Sequence, residues 1–172
     1  MPVAATIDTT RPLAHGDLGW ALLATLFCSV IPNSLIWYQV RRGRLTDHHI
    51  RERRQRAKPL AYGLLSVLVG LAVLVGLDAP RTVVAVVVVM FGVGVAVTVI
   101  NLLWKLSIHA AVAAGSAAIL VIVHGVVLLI LIPVVAAVGW SRVQLREHTT
   151  GQVVAGAAVG LAVAAPTFLL LR

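Results

Sequence analysis

This sequence has little charge and almost no cysteine. Only 12% of its 172 residues are charged, whereas 60% are hydrophobic, and the mean hydropathy is +1.00. Soluble domains carry about a quarter charged residues, so this composition excludes a soluble domain and indicates an integral membrane protein. The single cysteine, Cys28, excludes an intramolecular disulfide and leaves the redox compartment open.

Two further features are missing. Residues 1–17 lack the cationic start and the small-residue cleavage site of a signal peptide. We predict a disordered or surface-lying tail there, followed by one membrane domain over residues 18–172. The apolar runs also lack the in–out alternation of barrel strands, which makes a β-barrel a poor explanation.

Continuous apolar runs are what the chain does contain, and their lengths predict an all-α, polytopic membrane helical bundle. A helix needs about 20 residues to cross a bilayer. The last long run before residue 141 exceeds one crossing, so we divide it at His124-Gly125. The six predicted transmembrane helices are Leu18–Val40, Pro59–Asp78, Arg81–Trp104, Ile108–His124, Gly125–Trp140 and Gly151–Leu171.

Six crossings place the polar gaps at 41–58, 104–109 and 141–150 on one membrane face. Of the 14 basic residues, all but Arg11, Arg81 and Arg172 fall in these gaps. The positive-inside rule therefore favours a cytoplasmic orientation for this face. Because the net charge of +8 is concentrated there, membrane lipids and phosphorylated substrates are expected partners, and nucleic acid is not.

The polar gaps contain residue types suited to phosphate chemistry. Arg51 and Lys58 are seven apart, so on a helix they would share a face and could reach one phosphate group. They also fit a basic collar beside the membrane. His109 opens a predicted helix, where phosphate binds well and a general acid could act, although a lone interfacial histidine is the alternative. Arg142 and His148 have the character of a phosphate clamp and a nucleophile.

In order and spacing, these residues resemble the three signature motifs of the type 2 phosphatidic acid phosphatase family of membrane lipid phosphatases. The first motif, two basic residues seven apart and then proline, matches Arg51, Lys58 and Pro59. The second is lysine followed by proline-serine-glycine-histidine. Here Leu106 takes the proline place and Ile108 the glycine place, and the remaining positions are Lys105, Ser107 and His109.

The third motif is serine-arginine, then histidine, then aspartate four residues on. It matches Ser141, Arg142 and His148, with Gln152 in the aspartate place. In the mechanism that the resemblance implies, His148 forms a phosphohistidine that water hydrolyses, and no metal or cofactor takes part. Gln152 would accept a hydrogen bond from His148 but cannot supply the charge of an aspartate; Asp47 or Glu147 is the alternative source. We expect Glu147 to point elsewhere, because it is adjacent to His148.

The resemblance thus implies site residues of two kinds. The catalytic residues would be His148, His109 and Gln152, and the phosphate-binding residues would be Arg51, Lys58, Lys105, Ser107, Ser141 and Arg142. The histidine-threonine pair followed by glutamine is similar to the dolichyl-diphosphatase branch, which implies a polyprenyl diphosphate substrate. We expect the protein to lie in a bacterial-type plasma membrane. Phosphatidic acid or another glycerolipid is the second choice.

Other interpretations stay open. Gln152 and Ile108 would also suit a catalytically weakened relative that binds or transports phospholipids, and a helical scaffold whose charges only set topology is a third possibility. Asp47-His48-His49 could suggest a metal site, although a solvated loop fits better. Asn101 could orient a motif residue, but we favour a bond to a neighbouring helix.

Overall fold

The computed structural model describes the backbone of residues 15–43 and 53–172, and the side chains of residues 18–43 and 58–172. This part of the chain forms six helices and no strands. The prediction of an all-α membrane helical bundle is therefore confirmed. The predicted tail lies largely outside the described residues, although α1 already begins at His15.

The helices follow one another with short connections. Helix α1 runs through His15–Thr25, a π-helical turn at Leu26–Val30, and Ile31–Arg41. Helix α5 begins as a 3-10 segment, Val126–Leu131, and continues as Ile132–Gln144. The other helices are α2 at Arg53–Gly76, α3 at Arg81–Leu103, α4 at Ile108–His124 and α6 at Thr150–Leu171.

Five of these helices are long and apolar enough to cross a membrane. Their apolar segments have mean hydropathies between 1.6 and 3.0 and lengths of 19 to 24 residues. Helix α4 is shorter, at 17 residues, but such a helix still spans about 25 Å. These lengths are compatible with an integral membrane protein.

The predicted helix boundaries need two corrections. Helix α5 continues to Gln144, so Ser141 and Arg142 are helical rather than part of a polar gap. Helix α2 begins at Arg53, so Pro59 lies inside the helix instead of at its first turn. Residues 53–58 are mostly polar but consist of good helix formers. Hydropathy therefore located the membrane segment and missed the helix that extends beyond it.

Helices α4 and α6 form the core of the bundle and run parallel, in register. Contacts follow the same order along both helices. The cap residue Ser107 and then Ala111 contact residues of α6, and Ile122, near the end of α4, contacts the carboxyl-terminal end of α6. A Cβ at Gly156 would lie 2.5 Å from the carbonyl oxygen of Ser107, and one at Gly160 would meet the carbonyl of Ala111. The two backbones are thus in direct contact, as small residues allow in lipid.

Helix α1 packs on α2 through its π-helical turn. Phe27 fits against Gly70, and its carbonyl oxygen accepts a hydrogen bond of 2.7 Å from the hydroxyl of Ser66. This bond satisfies a backbone acceptor at the irregular turn. No side chain of Leu26–Val30 or Ile31–Arg41 is buried within the bundle, so this part of α1 is a peripheral wall.

We predict that Gly160→Ala destabilises the bundle, because the added methyl group meets the backbone of Ala111. The expected loss in unfolding free energy is about 1–3 kcal/mol, the usual cost of overpacking. Gly19→Ala is the matched control: Gly19 is also helical, and its added Cβ meets no atom within 4 Å. Thermal unfolding in detergent measures both variants. Equal midpoints would show that α4 and α6 do not pack backbone to backbone.

Candidate functional site

The loop between α3 and α4 docks onto the start of α6. The backbone N–H of Ser107 donates to the carbonyl of Gln152 at 3.2 Å. The Lys105 ammonium donates to the backbone carbonyl of Glu147. The second and third polar gaps therefore meet at one end of the bundle, as their predicted topology requires.

Asn101 fixes the course of this loop from the last turn of α3. Its side chain is buried, its Oδ1 accepts from the N–H of Leu106 at 3.1 Å, and its Nδ2 donates to the carbonyl of Val97 at 2.9 Å. The bond expected to a neighbouring helix is absent among these contacts. Asn101 instead orients the loop that carries Lys105.

Ser107 is the amino-terminal cap of α4. Its side chain is fully buried, and its Oγ accepts from the N–H of Ala110 at 3.3 Å. Serine is a favoured residue at this position because it satisfies an otherwise unpaired N–H. The structure therefore explains this serine by helix capping, whereas the resemblance implied phosphate binding.

The predicted contact between His148 and Gln152 is present. His148 Nδ1 lies 3.3 Å from Gln152 Oε1, which also accepts from the N–H of Thr149 at 3.1 Å. Because the Thr149 N–H can only donate, the amide oxygen of Gln152 must face this group, and His148 must then donate through Nδ1–H. In the neutral ring, this arrangement leaves the lone pair on Nε2.

The same glutamine holds the start of α6. Gln152 N–H donates to Thr149 Oγ1 at 3.3 Å, and together with the bond from the Thr149 N–H this completes a capping box. One side chain thus caps the helix and orients the ring of His148. The ring of His148 is therefore oriented by a residue of the helix itself.

Arg142 binds within the protein, in the last turn of α5. Its Nη1 forms an ion pair with Glu147 Oε2 at 3.1 Å, and its Nε donates to Ser141 Oγ at 3.3 Å. The Ser141 hydroxyl in turn donates to the carbonyl of Val138 at 2.8 Å. Both predicted phosphate-binding residues of this helix are therefore engaged by neighbouring groups.

A cavity of about 450 Å³ opens beside this network, bounded by α1 to α4 and by the loop before α6. Its volume lies in the ~300–1,000 Å³ range of small-molecule sites. One set of polar lining residues comes from the end of α3, the start of α4 and that loop: Asn101, Lys105, His109, Glu147 and His148. Most of the remaining lining is apolar, including Pro32, Ile36, Leu60, Leu64, Val67, Val93 and Ile119.

A second depression, of about 430 Å³, shares part of the same wall. Lys105, Glu147 and His148 line both spaces, and the depression is completed by Val143, Arg146, Thr149 and Gln152. These three shared residues therefore lie between the two spaces.

The amino-terminal ends of α4 and α6 lie together beside these residues. Parallel packing of the two helices places the caps Ser107 and Thr149 at the same end of the bundle. A helix amino terminus carries about half a positive charge. Two such ends and Lys105 give this part of the site a positive character that favours a bound anion.

The structure brings together only some of the predicted site residues. Lys105, His109 and His148 line the cavity, and Gln152 lines the adjoining depression. Four others line neither space: Lys58, Ser107, Ser141 and Arg142. Arg51 lies outside the described residues, as do Asp47, His48 and His49.

Glu147 is the site residue that the sequence analysis placed wrongly. We expected its side chain to point away from the site, as on a helix, whereas residues 145–149 are a loop and Glu147 lines the cavity. The loop reverses at Arg146, whose φ of 55° is unusual for a residue other than glycine. No feature of the local sequence predicts that conformation.

Within residues 15–43 and 53–172, no group of three or more His, Cys, Asp or Glu side chains is arranged to hold a metal ion. No family model, no curated protein and no solved structure matches the chain.

We predict that Gln152 fixes the tautomer of His148. In Gln152→Ala, the neutral ring should lose its preference for Nδ1–H, since the acceptor is gone, whereas Gln152→Glu should keep it. Imidazole ¹⁵N shifts measured at a pH where the ring is neutral distinguish the two tautomers.

Thr149→Ala is the control for that measurement. It removes the cap acceptor, at a cost of about 1 kcal/mol, and leaves the contact between His148 and Gln152. The tautomer should therefore be unchanged in this variant. An unaltered tautomer in Gln152→Ala would show that another group orients the ring.

Proposed function

We propose that the chain is an integral membrane lipid phosphatase that hydrolyses a phosphate from a polyprenyl diphosphate through a phosphohistidine intermediate, without a metal or cofactor. One observation carries the proposal: His109 and His148 line the same cavity, and the rest of its wall is largely apolar. A substrate with an apolar tail and a phosphate head matches both parts of that lining.

In the proposed reaction, His148 Nε2 attacks phosphorus while Nδ1–H is held by Gln152. The N–P bond forms as the bond from phosphorus to the leaving oxygen breaks, and His109 protonates that oxygen. Water then attacks the phosphohistidine while His109 accepts a proton from it, the N–P bond breaks and phosphate leaves. Lys105 and the amino termini of α4 and α6 stabilise the negative charge that develops on the phosphoryl oxygens.

The lipid could also be phosphatidic acid or another glycerolipid. The sequence from His148 to Gln152 supports polyprenyl diphosphate, which is the first choice. Phosphate release from a panel of prenyl diphosphates, with phosphatidic acid beside them, tests this choice. A higher kcat/KM for phosphatidic acid would move the glycerolipid to first place.

A catalytically weakened protein that binds or transports phospholipids is the second candidate. Two observations favour it: Gln152 supplies no charge to His148, and Arg142 is ion-paired to Glu147. Phosphate release from purified protein separates the candidates, since a binding protein would retain the lipid unchanged.

The proposed location is a bacterial-type plasma membrane, with the site facing the cytoplasm.

His148→Ala should abolish phosphate release, because it removes the proposed nucleophile, and His109, the other histidine of the cavity, is assigned to protonate the leaving oxygen. Trapping with ³²P-labelled substrate should label the parent protein in an acid-labile form and leave the variant unlabelled. His124→Ala is the control, since His124 ends α4, away from its amino terminus, and lines neither space. Full activity in His148→Ala would rule out this nucleophile.

His109→Ala should slow the formation of the phosphoenzyme by about 10²–10⁴-fold, the usual contribution of a general acid. The defect should shrink with nitrophenyl phosphate, whose leaving oxygen needs no proton. Single-turnover kinetics with both substrates measure the difference. An equal loss with both would assign His109 a role in binding.

A further inference from the structure

An acidic side chain lies where the proposed function requires an anion to bind. The Glu147 side chain is only 10% exposed, lines the cavity and forms an ion pair of 3.1 Å with Arg142. Arg142, which is 17% exposed, does not line the cavity. Glu147 therefore lies between this guanidinium and the space that a substrate would occupy.

The backbone builds this ion pair. The N–H groups of Glu147 and His148 both donate to the carbonyl of Arg142, at 3.1 and 3.3 Å. The positive φ of Arg146 turns the chain back over the last turn of α5. The carboxylate is thus returned to the arginine five residues before it by a defined helix end.

Carboxylate and phosphate compete for the same arginine donors. Both groups accept hydrogen bonds from the planar guanidinium, often in pairs. Arg142 uses Nη1 for Glu147 and Nε for Ser141. A phosphate group in the cavity would meet the negative charge of Glu147 before it met Arg142.

We propose that Glu147 occupies donors of Arg142 that would otherwise bind an anion, so that a phosphate group in the cavity binds by exchange with this carboxylate. The proposal rests on the proposed function for the choice of phosphate as the ligand. Return of the carboxylate to Arg142 after the reaction would also favour the release of the phosphate product.

Removal of the competing charge should therefore strengthen phosphate binding. We expect Glu147→Gln to lower the Kd for inorganic phosphate by at least about tenfold, because the binding-competent arginine is no longer occupied by an anion. Isothermal titration calorimetry on the purified, full-length protein in detergent measures this change. Structural damage alone would weaken binding, so a gain in affinity does not come from misfolding.

Two controls sharpen the result. Asp78→Asn removes the same charge outside the site, at an exposed position with φ of 56° that asparagine tolerates, and should leave the Kd unchanged. In an Arg142→Ala background, Glu147→Gln should give much less gain, because the shared partner is missing. A full gain in that background would overturn the exchange with Arg142.

The parent protein supplies a second measurement in case Glu147→Gln fails to fold. Saturating inorganic phosphate should shift the guanidinium NMR signals of Arg142 as its partner changes. Unchanged Arg142 signals at saturation, or a Glu147→Gln variant that folds and binds phosphate no more tightly, would overturn the proposal.

These results separate the inference from the proposed function. Tighter phosphate binding in Glu147→Gln, without phosphate release by the parent, would retain the anion exchange and reject the phosphatase. Phosphate release by the parent, with no gain in Glu147→Gln, would retain the phosphatase and reject the exchange.

Discussion

The arrangement of the candidate site depends on the backbone contact between α4 and α6. Gly156 and Gly160 present no side chain, so the carbonyls of Ser107 and Ala111 lie directly against α6. That contact sets the two helices in register and brings both amino termini to one end of the bundle. The loop before α4 and the loop before α6 can then bond to each other, from Ser107 to Gln152 and from Lys105 to Glu147. In a lipid bilayer, the hydrophobic effect does not drive helices together, because lipid tails are as apolar as the side chains. Close packing of this kind is therefore a main source of helix association.

The polar groups at this end are held before any ligand arrives. The Lys105 ammonium is tied to a carbonyl, the Arg142 guanidinium to a carboxylate, and the His148 ring to Gln152. Fixed donors and dipoles in a site of low water content act more strongly on charge than mobile ones in solution. However, these donors already form hydrogen bonds or ion pairs with groups of the protein before an anion binds. An anion must therefore offer more than the contacts that it replaces.

Much of this arrangement follows from the sequence, and the limits are physical. Segment length alone predicted the six helices, including the break at Gly125, whose φ of 90° suits glycine. The contact of His148 with Gln152 was predicted from a spacing of one helical turn and is present, but His148 precedes the cap residue Thr149, so the capping geometry brings Gln152 to the ring. Spacing failed at Glu147 because the chain leaves the helix at Gln144 and reverses at Arg146. The expectation for Asn101 rested on its polarity within an apolar helix, and its contacts are with its own helix and the following loop rather than with a neighbouring helix. Both residues lie where a helix ends, at Leu103 and at Gln144, and helical periodicity does not describe the contacts of the chain beyond these ends.

The wall formed by Lys105, Glu147 and His148 determines from which side a ligand or a water molecule reaches His148. The same three residues border a cavity with largely apolar walls and a smaller depression whose other lining includes Arg146, Thr149 and Gln152. A hydrocarbon chain is favoured in the apolar cavity, and water is favoured beside the polar groups of the depression. These three residues therefore separate a largely apolar space from a more polar one. An apolar molecule in the cavity and a water molecule in the depression would therefore reach His148 from opposite sides.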